Sequence, residues 1–267
     1  MVSRDYRVRL ERLILTNNDL ERYARHIVLK EVGGAGQMAL RRATVAVVGA
    51  GGIGSPALQY LAAAGIGRLI VIDDDTVDLS NLQRQTIFGT ADIGQRKAAA
   101  AAIAIAALNA NVDVEMHSVR IDADNAAALI AGADVVLDGC DNFATRLAVA
   151  DAALDAGIPL VSAAVGQFEG QLATFRGWEA DKPCYRCFVG NDPDRAEASC
   201  AEQGVLGAMT GVMGSLAALE VMRAIVGFGE DSAGKLLLVD ALAFRFRTIT
   251  LPKDPGCRCA PAPSPAA

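Results

Sequence analysis

Six residues, GAGGIG from Gly49 to Gly54, constrain this chain more than any others. They follow TVAVV, a β-branched run with the length and composition of a buried parallel strand, and precede an apolar stretch that continues at helical spacing to Ala64. Glycines at such a junction let backbone N–H groups and the helix N-terminus face an anion, and let a ligand approach the main chain. The next strand, at residues 69–72, ends in three aspartates. Asp73 therefore stands ~20 residues beyond the turn, the usual place for a carboxylate that accepts from ribose hydroxyls. Turn and carboxylate together indicate a nucleotide but do not say which, and an NAD-dependent oxidoreductase has the same pattern to this point.

The rest of the chain keeps alternating between strand and helix. Helices are expected at residues 36–42, 95–108, 125–130 and 142–156, and strands at 112–116, 135–137 and 160–163. That sequence of elements predicts a Rossmann-like, doubly wound α/β fold with a mostly parallel sheet. A strand at 167–176 should then pair antiparallel with later ones, two of which are expected at 235–239 and 244–250. A long apolar helix is expected from 205 to 226, after a polar loop at 190–199. Before the first strand, Asn18 and Glu21 have capping-box spacing, and Leu20, Tyr23, Ala24, Ile27 and Val28 recur at helical intervals.

With 52% hydrophobic and 21% charged residues, the 267-residue chain is globular rather than disordered. A net charge of −6 argues against a general nucleic-acid binder. The alanine-rich run at 98–108 falls short of the ~20 residues of a membrane span, and the N-terminus lacks a signal-peptide core, so a cytoplasmic protein without membrane contact is expected. Four of the six cysteines stand in two close pairs, Cys184/Cys187 and Cys257/Cys259. In a reducing compartment this spacing reads first as metal ligation.

Cations and carboxylates beyond the turn separate the nucleotide readings. NLQRQ delivers Asn81 and Arg84 after the second strand, and Lys97 lies in the first turn of the next helix, where a cation works against the helix dipole. Beside a glycine turn, Arg84 and Lys97 become candidates to neutralise a triphosphate. Asp141 follows the strand at 135–137, on the carboxyl edge where doubly wound folds bind ligands, and a carboxylate among phosphates suits Mg²⁺. Asp138 competes for that role, and Asp141 has the alternative of capping the helix at 142. The two histidines, His26 and His117, are read as structural.

Taken together, RYARHIVL, GAGGIG, DDDTVDLSNLQRQ, IGQRKA, DGCDN, PCYRC and SCAEQGV resemble the MoeB/ThiF/HesA family, bacterial relatives of ubiquitin-activating enzymes, in order and spacing over residues 18–259. The resemblance implies ATP-dependent adenylation of the C-terminal glycine carboxylate of a ubiquitin-like sulfur carrier. The small subunit of molybdopterin synthase is the first candidate and the thiamine-pathway carrier the alternative. It also implies that Gly49, Gly51, Gly52, Gly54 and Asn81 line the nucleotide site, that Asp73 binds ribose, that Arg84 and Lys97 bind phosphates and that Asp141 binds Mg²⁺. Arg25 would reach the triphosphate from the partner of a homodimer. Cys200 matches a thiol that some members use in sulfur relay or thioester chemistry.

Cys184, Cys187, Cys257 and Cys259 would hold a structural Zn²⁺, forming a zinc knuckle. Here the sequence departs from its relatives, because its final pair is Cys-x-Cys rather than Cys-x-x-Cys, a spacing that can strain two-ligand geometry. Under this reading residues 18–259 form one adenylation domain, with a nucleotide-binding half at 18–165 and a carrier-binding, zinc-holding half at 166–259. Residues 1–17 are an N-terminal extension and 260–267 a disordered tail. Sulfur is expected from a separate sulfurtransferase. A non-catalytic module that has kept the fold is the remaining alternative, disfavoured by the full set of Arg25, Arg84 and Lys97.

Overall fold

The apolar runs assemble into one eight-stranded sheet in a computed structural model that describes residues 14–190 and 204–259. Helices α1 (Asn17–Arg22), α2 (Ala24–Ile27) and α3 (Gly33–Arg42) lead into β1 (Thr44–Val48). Next come α4 (Gly54–Ala64), β2 (Arg68–Ile72), α5 (Lys97–Leu108) and β3 (Asp113–His117). The chain then crosses to the other side of β1 through α6 (Ala126–Leu129), β4 (Val135–Asp138), α7 (Phe143–Ala156) and β5 (Leu160–Val165). It finishes with β6 (Glu169–Phe175), α8 (Tyr185–Val189), α9 (Gly207–Val226), β7 (Lys235–Asp240) and β8 (Arg245–Thr250).

Strand order is β3-β2-β1-β4-β5-β6-β7-β8. The first five strands are parallel and the last three join antiparallel, in agreement with the expected Rossmann-like sheet and its continuation. The core alternates along each central strand with the period of two that a pleated sheet imposes. Val45 and Val47 of β1 face Leu58 and Leu61 of α4, Ile105 of α5 and Met213 of α9 on one side. Ala46 and Val48 face Phe143 and Leu147 of α7, with Ile130, on the other. Because β2 and β4 leave β1 in opposite directions, the loops after β1 and β4 part at the switch point, where such folds bind ligands.

Three local expectations change. The first helix is capped by Thr16 with Asp19, not by Asn18 with Glu21: Asp19 N–H donates to the Thr16 hydroxyl, and the Asp19 carboxylate accepts from Thr16 N–H at 2.8 Å. Asp19 is fully buried and also accepts from Arg41 and Asn111, so tertiary bonds fix the start. The expected continuous apolar face is broken at Tyr23, whose side chain turns inward. Its hydroxyl accepts from Asn109 at 2.8 Å and lies against Gly65, leaving Leu20 and Val28 exposed. Finally, a short helix, α8, stands where no strand or helix is expected, and β6 pairs with the preceding β5 as well as with β7.

Helix α9, rather than the run at 98–108, is the one described helix long and apolar enough to cross a membrane. It packs on α4, β5 and β6, and Met213, Ala217, Ala218 and Val221 are fully buried.

Candidate active site

A cleft of about 760 Å³ opens at the switch point. Its floor is the glycine turn between β1 and α4. A Cβ on Gly54 would sit 1.8 Å from the Gly49 carbonyl oxygen, so the turn closes this tightly only with hydrogen there. The same turn touches the loop after β4, since a Cβ on Gly49 would lie 3.3 Å from the backbone of Gly139 and Cys140. Gly49, Gly51, Gly52, Asp73, Asn81, Arg84, Lys97 and Asp141 all line this one cleft. Gly54 stands just behind it as the first residue of α4.

Asp73 ties the end of β2 to the turn. One oxygen accepts from Ala50 N–H at 2.7 Å and the other from Asp75 N–H at 2.9 Å. Burial pushes its carboxyl above the ordinary range, against the pull of Lys97 and of those two hydrogen bonds. Lys97 is buried and its ammonium meets the Asp75 carboxylate at 2.8 Å, while its backbone N–H donates to the Asp75 carbonyl. Arg84 donates to the Ser80 carbonyl at 3.0 Å and forms no ion pair with a described residue, so its charge is available to the cleft. Asn81 spends its carboxamide oxygen on Asp78 N–H.

Hydrogen bonding distinguishes Asp138 from Asp141. Asp138 is buried and spent: one oxygen accepts from Arg146 at 3.0 Å and Ser162 at 2.9 Å, the other from the backbone N–H and the thiol of Cys140. Burial, with the Asp138 charge beside it, raises the Cys140 thiol well above its ordinary range and keeps it a donor. The cap of α7 is Asn142, whose side chain accepts from Thr145 N–H at 2.8 Å, so Asp141 is not the helix cap. Asp141 is exposed, has no described ion-pair partner and is left to face the cleft.

Two residues passed over in the sequence shape the site. Arg146, a lone cation in the apolar run of α7, is buried beneath the β4 loop and donates to the Cys140 and Ala163 carbonyls as well as to Asp138. Its signal was that isolation. Thr210 of α9 abuts Gly52 and donates to the Arg84 carbonyl, a meeting between distant segments that no local pattern announces.

Arg25 does not line the cleft. It is exposed on α2, which is anchored through Tyr23 to Gly65 and Asn109 at the C-terminal ends of α4 and α5, the edge opposite the glycine turn. Cys200 lies outside the described residues, as do residues 1–13 and 260–267.

Away from the cleft, the Sγ atoms of Cys184, Cys187, Cys257 and Cys259 all lie within 4.8 Å of one another. The separations of 3.8 Å (Cys184–Cys187), 3.4 Å (Cys184–Cys257) and 3.4 Å (Cys187–Cys259) approach the ~3.8 Å between ligands of a tetrahedral four-thiolate zinc site. Cys-x-Cys spacing thus brings both C-terminal sulfurs into the cluster. Each pair encloses an arginine that grips α7: Arg186 binds both oxygens of Asp151 at 2.8 and 2.7 Å, and Arg258 meets Asp151 at 3.0 Å and Asp155.

Comparison with known proteins bears on this arrangement directly. The ThiF family model matches residues 23–259. The chain belongs to the ThiF family. It is 46% identical to the sulfur carrier protein adenylyltransferase of Thermus thermophilus, with 91% of each chain covered, and 44% identical to the SAMP-activating enzyme E1 of Haloferax volcanii, with 92% of this chain and 90% of that one covered. It also matches the adenylyltransferase and sulfurtransferase MOCS3 of Anopheles gambiae at 44% identity, over 94% of this chain and 57% of that protein. Among solved structures, Escherichia coli MccB has the same fold, with a TM-score of 0.80 at 22% identity over 94% of this chain and 76% of that one. Adenylyl transfer is the reaction class to which these relatives assign the chain.

Proposed function

We propose that this ThiF-family adenylyltransferase activates the C-terminal carboxylate of a ubiquitin-like sulfur-carrier protein, using ATP and releasing pyrophosphate. The carrier is the small subunit of molybdopterin synthase in the first instance, and the thiamine sulfur carrier in the second. The observation that carries the proposal is the single cleft that combines a glycine turn, Arg84, Lys97 and an uncommitted Asp141. In this reading Asp73 takes the ribose hydroxyls, and the turn from Gly49 to Gly52, with Asn81, lies along the nucleotide. Arg84 and Lys97 face the phosphates.

The carrier's carboxylate oxygen attacks the α-phosphorus, and the bond to the bridging oxygen breaks as pyrophosphate leaves. An ionised carboxylate needs no general base for this, only relief of its repulsion from the phosphates and alignment with the leaving group. The chain's cations supply the first and its fixed turn the second. Asp141 would hold Mg²⁺, which when bound shields the phosphates and assists pyrophosphate departure. The four cysteines would hold a structural Zn²⁺ whose coordination they fill.

A homodimer is part of the proposal. Arg25 stands at the wrong edge to reach its own cleft, so it would serve the cleft of a partner. Helix α4 packs on both α5 and α9, and the three expose Tyr60, Ile103, Val212 and Leu219, large apolar side chains that an association surface would cover.

ATP–pyrophosphate exchange with Mg²⁺ tests the reading, with both carriers assayed in parallel. Exchange with one carrier alone is expected and selects the pathway. No exchange with either, from protein that binds ATP, would exclude both carriers. Binding of NAD in place of ATP would overturn the reaction class.

A further inference from the structure

Gln85 is 97% buried in the wall of the cleft, at 3% relative exposure, and its side-chain Oε1 has no hydrogen-bond partner. Its backbone is fully engaged: the N–H donates to the Asn81 carbonyl at 2.9 Å and the carbonyl accepts from Phe88 N–H at 3.1 Å. The turn therefore fixes where the side chain goes. It goes to the glycine turn, where a Cβ on Gly51 would lie 3.9 Å from Gln85 Nε2.

The carboxamide leaves its oxygen unpaired in the wall and turns its donor, Nε2, to the glycine turn. An apolar side chain of similar length would occupy the space without leaving a polar atom unpaired. By contrast, Asp138, Arg146 and Ser162, equally buried beside the same cleft, are joined to one another. Gln85 adjoins Arg84, whose charge is open to the cleft, and its Nε2 is the one described group near the Cβ position of Gly51 in the glycine turn.

We propose that the Gln85 carboxamide is a nucleotide contact, donating from Nε2 to an oxygen of the terminal two phosphates of bound ATP, the part that leaves as pyrophosphate. This rests on the nucleotide reading above and adds to it a donor that is neutral. A neutral donor can hold the leaving group without adding a charge that would retain the product. It also separates phosphate contact from ribose contact, since Asp73 approaches the turn through Ala50.

The experiment is calorimetric titration of the full chain with Mg·ATP and, separately, with AMP, for wild type, Gln85→Met and Gln85→Glu, with a melting curve for each. Met keeps length and bulk without the donor, and Glu turns the donor into an anion. Loss of a hydrogen bond to a charged group predicts that Gln85→Met weakens ATP about tenfold or more, that Gln85→Glu weakens it further, and that AMP changes by less than about threefold. Equal losses for ATP and AMP would mean a structural role and overturn the inference, as would unchanged ATP affinity in Gln85→Met. Where either variant melts early, Gln85→Asn keeps the amide, draws it back by one methylene and is expected to show the same selective loss. Wild-type protein that binds no ATP would instead remove the nucleotide reading, and this inference with it.

Discussion

Substituting Gly52 by alanine should jam the joint between the glycine turn and helix α9. The new Cβ would lie 2.9 Å from Thr210 Cγ2 and 3.2 Å from Thr210 Cβ, with Arg84 Cδ at 3.6 Å. Carbon atoms in contact prefer ~3.5–4.0 Å, so Thr210 must retreat by roughly 0.6 Å or more. It has little freedom to do so: its hydroxyl donates to the Gly207 carbonyl at 2.7 Å and the Arg84 carbonyl at 3.3 Å, and β-branching stiffens its rotamer. Behind it, Gly207 is pressed on the Gln83 backbone, where a Cβ would come within 2.2 Å of the carbonyl oxygen. Overpacking of this kind costs ~1–3 kcal/mol, or roughly 2–12 °C in melting temperature for a chain of this size. Thr210→Ser deletes the methyl at 2.9 Å and keeps the hydroxyl, so the double variant should recover about half the loss or more. Melting curves and ATP titration of both single variants and the double variant measure the coupling. Wild-type stability in Gly52→Ala, or losses that simply add in the double variant, would refute the reasoning.

Arg84→Ala and Lys97→Ala should each lower pyrophosphate exchange by roughly 100-fold or more while far-UV circular dichroism stays native, because each removes a cation from crowded phosphates. Asp138→Asn should destabilise by ~3–5 kcal/mol in urea by breaking the buried pair with Arg146, whereas Asp141→Asn should leave urea stability within about 0.5 kcal/mol and abolish the Mg²⁺ dependence of exchange. Asp151→Ala, which removes one carboxylate partner from each of Arg186 and Arg258, should hasten metal loss from zinc-loaded protein to a chromogenic chelator and lower the melting temperature. Asp19 links stability to pH: burial raises its carboxyl, but hydrogen bonds with Thr16 and the Arg41 charge outweigh burial and hold it below the ordinary range. Its contribution is therefore complete above the unfolded value of ~3.9 and is lost as pH falls through the lower folded value, so the stability gap between wild type and Asp19→Asn should be constant above about pH 5 and shrink in stronger acid.

What could be read from the sequence was whatever a local pattern determines. A β-branched run before glycines is a buried strand wherever the chain goes next, so β1, β2, β4 and β5 and their parallel order followed from periodicity and connection rules. The same holds for the placing of Asp73, Arg84 and Lys97 around one cleft, since each occupies a defined offset from an element end. Tertiary bonds decided the rest. Asn18 and Thr16 are both competent caps, and only the burial of Asp19 against Arg41 and Asn111 selects Thr16. Tyr23 fits a helical stripe until Asn109, 86 residues away, claims its hydroxyl. That Asp138 is held by Arg146 and Ser162 while Asp141 has no described ion-pair partner is likewise a tertiary fact that no local pattern in the sequence carries.

The placement of the histidines bears on mechanism in the same way. His26 Nδ1 is hydrogen-bonded to Gln37 at 3.1 Å and His117 Nε2 to Glu115 at 2.7 Å, and neither lines the cleft. Among the described residues, the cleft therefore brings together fixed cations, backbone N–H groups and carboxylates, with no imidazole to shuttle a proton. A hydrolase acting on a neutral acyl or glycosyl group needs a side chain to take a proton from its nucleophile, a role that carboxylates fill as well as imidazoles. A carboxylate attacking a phosphoanhydride arrives already deprotonated, and pyrophosphate leaves as an anion that cations and divalent metal can stabilise. The energetic difficulty of that reaction is bringing one anion against another, and in the proposed function Arg84, Lys97 and the glycine turn would be the groups that meet it.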